Sequence, residues 1–209
     1  MSVKLFTPAE AAVLAQTLTR VIEKAIEDGV VEVHKAAVHG GARKRRLLSA
    51  KGVHYIVLLR SCRVHFSRDV KLCLWKHFKT TSANRLLNLE WRLSPGFRIE
   101  PGEVLRPSVM RVSRYSAARD RWVRVDEDIK GGTPVIRGTR MSVYSVAGRL
   151  AHGDTIEEIL KENSALRREA LKAALEYANA NPLVGRPGVR PWEAWKALTS
   201  SSTNVFLRP

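Results

Sequence analysis

The sequence predicts a mainly α-helical chain with short β-strands, arranged as an N-terminal helix-turn-helix domain plus a C-terminal homeodomain-like three-helix domain. Three observations carry that prediction. Ser or Thr residues able to cap a helix stand ahead of most apolar runs, those runs repeat at i, i+3 and i+4, and strand-like alternation is confined to a few short stretches.

The chain opens with Thr7-Pro8-Ala9-Glu10, in which Thr7 can cap, Pro8 suits the first helical position and Glu10 completes a capping box. This first helix runs through Leu14, and a turn near Gln16 to Leu18 leads to Thr19 as the next cap. Val21, Ile22, Ala25 and Ile26 then recur at helical spacing, and Gly29 marks the stop, because glycine readily takes the left-handed conformation that ends helices. Two helices joined by a tight turn make a helix-turn-helix or, equally, a plain helical hairpin. The next segment favours the former: Gly40 and Gly41 permit a turn, and Arg43-Lys44-Arg45-Arg46 follow as a basic wing or arm able to lie along a phosphate backbone.

Ser49 is read as the cap of a helix facing inward with Val53, Ile56, Val57 and either Leu58 or Leu59; Ser67 caps another with the stripe Val70, Leu74 and Phe78. Residues 87–100 alternate around Pro95-Gly96 as a small hairpin. A helix is expected from Glu103 to Arg119 with Pro107 in its first turn, then a short strand with Trp122, Val123 and Val125. The arginines from Arg111 to Arg124 either add a connecting basic surface or simply solvate that helix.

Farther on, Val135-Ile136 reads as a short strand between two turns, so the glycines of Gly131-Gly132 are not a phosphate cradle, which needs a preceding strand and glycines that open a helix. Ser142 caps a helix bearing Val143, Val146, Ala147 and Leu150, which stops around Gly153. Asp154 or Thr155 caps the next helix, with Thr155 and Glu158 forming a capping box ahead of Ile159 and Leu160, and a third helix spans about Arg167 to Ala180, ending before Asn181-Pro182. The expected division is a helix-turn-helix domain with basic arm (1–82), a hairpin and linker helix (83–121), the three-helix domain (122–185) and a tail (186–209).

Charge narrows the function classes. Lys and Arg outnumber Asp and Glu by 36 to 20, a net charge of +16, and residues 34–79 hold twelve cations against the single acid Asp69. Clustered cations gain by releasing counterions condensed on nucleic acid, so DNA leads the expected partners. Residues 126–190 carry ten basic and nine acidic residues, an ordinary mixed surface. No stretch reaches the roughly 20 apolar residues that span a bilayer, and MSVKLFTPAE lacks the apolar core of a secretory signal, so the expected location is cytoplasmic. Cys62 and Cys73 are expected as free thiols. With His65 and His77 they fit no zinc-finger spacing, and Cys73 reads better as a small apolar residue beside Leu74. No nucleophile triad, paired carboxylate or ligand cluster stands at a motif spacing, so neither catalysis, a metal nor a cofactor is expected.

The string GGTPVIRGTRMSVYSVAGRLAHGDTIEEIL, with ALEYANANP and GRP after it, closely resembles a widespread bacterial antitoxin domain whose hallmark is GG-T-P-x-I-x-GTR. FTPAEAAVLA, the paired helices and the basic arm resemble the DNA-binding part of the longer VapB-type antitoxins that carry the same second domain. The resemblance implies an antitoxin that binds and silences a PIN-domain ribonuclease toxin encoded beside it and represses their shared operon. It departs from the family pattern at Glu162-Asn163-Ser164, where an acidic-Tyr-Pro tripeptide is usual, and this bears on the local turn and on partner choice.

On this reading Thr19, Arg20 and Lys24 of the second helix approach operator DNA while Arg43, Lys44, Arg45 and Arg46 anchor on the backbone. Glu23, Glu27 and Asp28 must then face away from the duplex. Pseudopalindromic operators imply a dimer, with Ala173, Ala174 and Ala178 either its surface or an internal core face. Trp192, Trp195 and Phe206 in the tail are candidate toxin anchors, and Arg186, Arg190 or Arg208 could enter the toxin's acidic metal pocket. A stand-alone helix-turn-helix repressor without a toxin is the alternative.

Overall fold

The computed structural model describes residues 3–37, 44–62, 64–88, 90–94, 97–126 and 128–183. Among them the chain is mainly α-helical with short strands. It divides into two compact units, Met1–Ser116 and Ala117–Pro209, so the hairpin and most of the expected linker helix cluster with the N-terminal unit.

The first unit begins with β1 (Leu5–Phe6), α1 (Pro8–Leu14), α2 (Thr19–Glu27), β2 (Val33–Ala37) and β3 (Lys44–Ser49). The strands form one antiparallel sheet in the order β1-β3-β2. The capping box of α1 is present: Glu10 N donates to Thr7 Oγ1 at 3.2 Å, and Thr7 N donates back to Glu10 Oε2 at 2.8 Å. At α2 the cap is Leu18, which lends no side chain, and Thr19 is already helical and exposed; the expected Thr19 cap is one residue late. The stop at Gly29 is as expected. Its φ is +68°, and Gly29 N and Val30 N donate to the Ile26 and Ala25 carbonyls, the paired bonds of a Schellman end.

Next come α3 (Ala50–Ser61), capped by Ser49, and α4 (Arg68–Thr80), capped by Ser67. Val53, Ile56 and Leu58 are buried in α3 as read, together with Tyr55. In α4 the inward stripe is Leu74, Trp75 and Phe78, whereas Val70 and Cys73 are exposed, so neither belongs to the core as expected. The rings of Tyr55, Trp75 and Phe78 lie 5.1 to 6.2 Å apart and demand this rotation of the helix. A short α5 (Ala83–Asn88) precedes the hairpin of β4 (Trp91–Ser94) and β5 (Phe97–Ile99). α6 then spans Pro101–Trp122. It starts earlier than expected, so Pro107 lies inside the helix, not in its first turn, and Trp122 ends it.

The second unit is built on β6 (Val123–Arg124), antiparallel to β7 (Val135–Ile136), and on α7 (Val143–Ala151), α8 (Ile156–Glu162) and α9 (Arg168–Ala180). Ser142 caps α7, and Thr155 with Glu158 forms the capping box of α8. Val146, Ala147, Ile159, Leu171, Ala174 and Ala178 share one core. Ala173, Ala174 and Ala178 are therefore buried inside a single chain, which decides for the core face and against an open dimer surface.

Candidate nucleic-acid interface

The antiparallel strands β2 and β3 follow α2 in the chain, so the paired helices α1 and α2 and the expected basic arm are consecutive. Gln16 turns the chain between α1 and α2 with a φ of +51°, unusual without glycine. Arginines from distant helices brace that turn and the far end of α2. Arg111 Nε donates to the Leu14 carbonyl at 2.7 Å, Arg60 Nη1 to the Gln16 carbonyl at 3.2 Å, and Arg68 Nε to the Asp28 carbonyl at 2.8 Å. Each meets a carbonyl that the end of a helix or the turn leaves open, where a cation also complements the helix dipole.

On α2, Ile22 and Ile26 point into the core and leave Thr19, Arg20, Glu23, Lys24 and Glu27 exposed. The spacing of a helix sets Arg20, Lys24 and Glu27 on one stripe. The acids are thus not all turned away from the candidate contact face, because burial of the two isoleucines leaves Glu27 no other side. Lys24 pairs with Asp28 at 2.9 Å, and this bond holds its ammonium above the ordinary lysine range. Arg20 is the less encumbered cation of the two.

The wing concentrates positive charge. Lys35 stands directly across from Arg46 and Ala36 across from Arg45, and Lys35, Arg45 and Arg46 are all exposed. Like charges opposed across strands destabilise a ribbon unless an anion lies between or beside them. Lys44 is placed by its backbone as the first residue of β3, and Arg43 lies outside the described residues. Lys35 was missed in the sequence; its signal was the alternation of VEVHKA just before the glycine turn.

Other cations of the basic stretch serve the fold. Lys51 Nζ donates to the Lys79 and Thr81 carbonyls at the end of α4, and Lys79 pairs with Glu32 at 3.9 Å. Along α6 and just beyond it, Arg111 braces α1, Arg119 pairs with Asp120, Arg121 lies over the Trp122 ring and Arg124 pairs with Asp126. These arginines are engaged within their own units.

Polar contacts tie α6 to the start of the chain and to α3. The Tyr115 hydroxyl donates to Glu10 Oε1 at 2.7 Å, and Lys4 Nζ to Ser116 Oγ at 2.9 Å. His54 Nδ1 lies 2.9 Å from Ser108 Oγ. Burial, with the Arg111 charge adding to it, pushes the His54 pKa down from 6.5 to about 4.

Gly131 and Gly132 take left-handed conformations around a single 3₁₀ turn, Lys130–Gly132, and no helix opens there. Among the described residues no group of three or more His, Cys, Asp or Glu gathers as metal ligands do, and no helix is long and apolar enough to cross a membrane. The tail candidates Arg186, Arg190, Trp192, Trp195, Phe206 and Arg208 lie outside the described residues.

Residues 123–178 match the model of a family described as a protein of unknown function, DUF433. The chain is 38% identical over 109 residues to an uncharacterized protein, y4eO, of Sinorhizobium fredii, a match covering 52% of this chain and 49% of that protein. The chain therefore spans about half the length of the curated relative it matches. No solved structure matches.

Proposed function

We propose that this chain is a DNA-binding regulator, the antitoxin of a toxin–antitoxin pair, which represses its own operon and neutralises a cognate PIN-domain ribonuclease. The observation that carries the DNA part is the basic β2–β3 arm that follows the paired, braced helices in the chain, with Lys35, Arg45 and Arg46 exposed on it and Arg20 exposed on α2. Arg20 and Lys24 approach the groove, and the wing cations neutralise phosphates alongside it. The toxin part rests on the likeness of residues 126–185 to the antitoxin domain. In this reading the protein acts in the cytoplasm, as a dimer on DNA and as a hetero-oligomer with the toxin, without catalysis, metal or cofactor.

The test is co-expression with the product of the adjacent gene, followed by pull-down, a ribonuclease assay and titration with DNA from upstream of the operon. A complex that silences RNA cleavage and binds the upstream DNA is expected. Upstream binding with no toxin partner would reduce the protein to a stand-alone repressor, and loss of both would end the proposal. Removing residues 183–209 should abolish inhibition while leaving DNA binding intact; unimpaired inhibition would exclude the tail as the docking segment.

A further inference from the structure

The second unit contains an open cleft of about 700 Å³, lined by the turn after β7 and by the segment joining α8 to α9, with Lys130, Arg140, Arg149 and Glu162 among its residues. The turn is tightly made. Gly138 has a φ of +80°, and Thr139 Oγ1 both donates to the Ile136 carbonyl at 2.9 Å and accepts from Met141 N at 3.1 Å. Gly138 and Thr139 therefore account for the shape of the turn. Arg140, displayed between them and Met141, is exposed and makes no hydrogen bond or ion pair with any described residue.

Charge inside the cleft is unbalanced. Arg149 is engaged, with Nε to Asp154 at 2.5 Å and Nη1 to Glu162 at 2.6 Å, so this one cation is shared by two carboxylates. The side chains of Lys130 and Arg140 have no such partner among the described residues. Lys130 also holds a left-handed φ of +49°, which a lysine adopts rarely. Met141 and Leu166 add apolar surface to the same lining.

We propose that this cleft docks a partner protein by receiving an Asp or Glu side chain between Arg140 and Lys130, with an apolar neighbour of that acid against Met141 and Leu166. The inference rests on the toxin-binding reading and gives it a site within the folded unit, separate from the tail. A nucleic-acid backbone fits the cleft less well. It carries a charge at every nucleotide and would meet Glu162 as well as the cations, and it has no apolar group for Met141 and Leu166.

Titration calorimetry of the full chain against the PIN-domain protein encoded beside it tests this, using Arg140→Glu, Lys130→Glu and the milder Arg140→Lys. Each charge reversal should weaken toxin binding by at least about tenfold and Arg140→Lys by less, with melting temperature and operator affinity unchanged. Equal toxin affinity in both reversals overturns the proposal, as does a loss of operator affinity in its place, which would assign the cleft to nucleic acid. If the unaltered protein binds no toxin, the toxin reading fails on its own. The cleft is then probed by NMR titration of the full chain with the blocked peptide acetyl-Leu-Asp-Leu-amide. Amide shifts at Gly138, Arg140 and Asn163 that vanish in Arg140→Glu would sustain carboxylate docking, and their absence would overturn it.

Discussion

Glu10 shows how one residue can serve both a local and a distant contact. It is 1% exposed, and its two carboxylate oxygens accept from Thr7 N and from the Tyr115 hydroxyl. Glu10→Gln keeps the shape but removes the charge that strengthens both bonds, so denaturant melts should show a loss of about 1–3 kcal/mol. In a cycle with Tyr115→Phe the two losses should be non-additive; additive losses would mean that the bonds do not share the carboxylate. His54 provides a pH signature. Its pKa is about 4 in the fold against 6.5 ordinarily, so above pH 6.5 neither state holds the proton. Between pH 6.5 and 4 only the unfolded chain takes it up. Stability is therefore complete above pH 6.5 and declines as the pH falls to 4, by up to about 3 kcal/mol. His54→Gln, which cannot titrate, should show a shallower decline over that window in melts at successive pH values; parallel curves would refute the assignment.

At the scale of elements, packing at a helix start decides what the chain tolerates. A Cβ on Gly102 would sit 2.3 Å from the Leu87 carbonyl oxygen, so the end of α5 and the start of α6 meet at that glycine. Gly102→Ala must push backbone from backbone and should cost about 1–3 kcal/mol in a denaturant melt. An unchanged midpoint would show that the two helices can part freely. The wing behaves in the opposite sense. Because Lys35 opposes Arg46, Arg46→Thr should leave the free protein as stable or slightly more so while weakening operator binding, a trade expected when like charges await an anion.

The whole molecule carries +16, yet its cations divide by task. Lys51, Arg60, Arg68 and Lys79 bind helix ends, the inter-helix turn or an acid on another element, while Arg20, Lys35, Arg45 and Arg46, and Lys24 beside its own helix's Asp28, stand exposed on α2 and the β2–β3 arm. If those five contact phosphates, the logarithm of operator affinity should fall against the logarithm of salt concentration with a slope of about −4 to −5 per chain. A slope near −10 would mean that the whole basic stretch engages DNA. Arg45→Ala should lower the magnitude by about 1.

The sequence by itself determined the capping boxes at Thr7 and Thr155, the helix stop at Gly29, the caps Ser49, Ser67 and Ser142, the hairpin, and the excess of charge. Each of the structural features is settled by hydrogen bonds or turn geometry within a few residues, which a linear reading can see. Only the tertiary structure decided that β1 joins β3, that Lys35 opposes Arg46, that Trp75 and not Val70 faces inward, and that Arg140 and Glu162 line one cleft. It also sorted the arginines, because Arg60 reaches Gln16 across 44 positions and Arg111 reaches Leu14 across 97. No local pattern records which carbonyl a distant guanidinium will find, since that depends on how the helices pack once their apolar faces are buried.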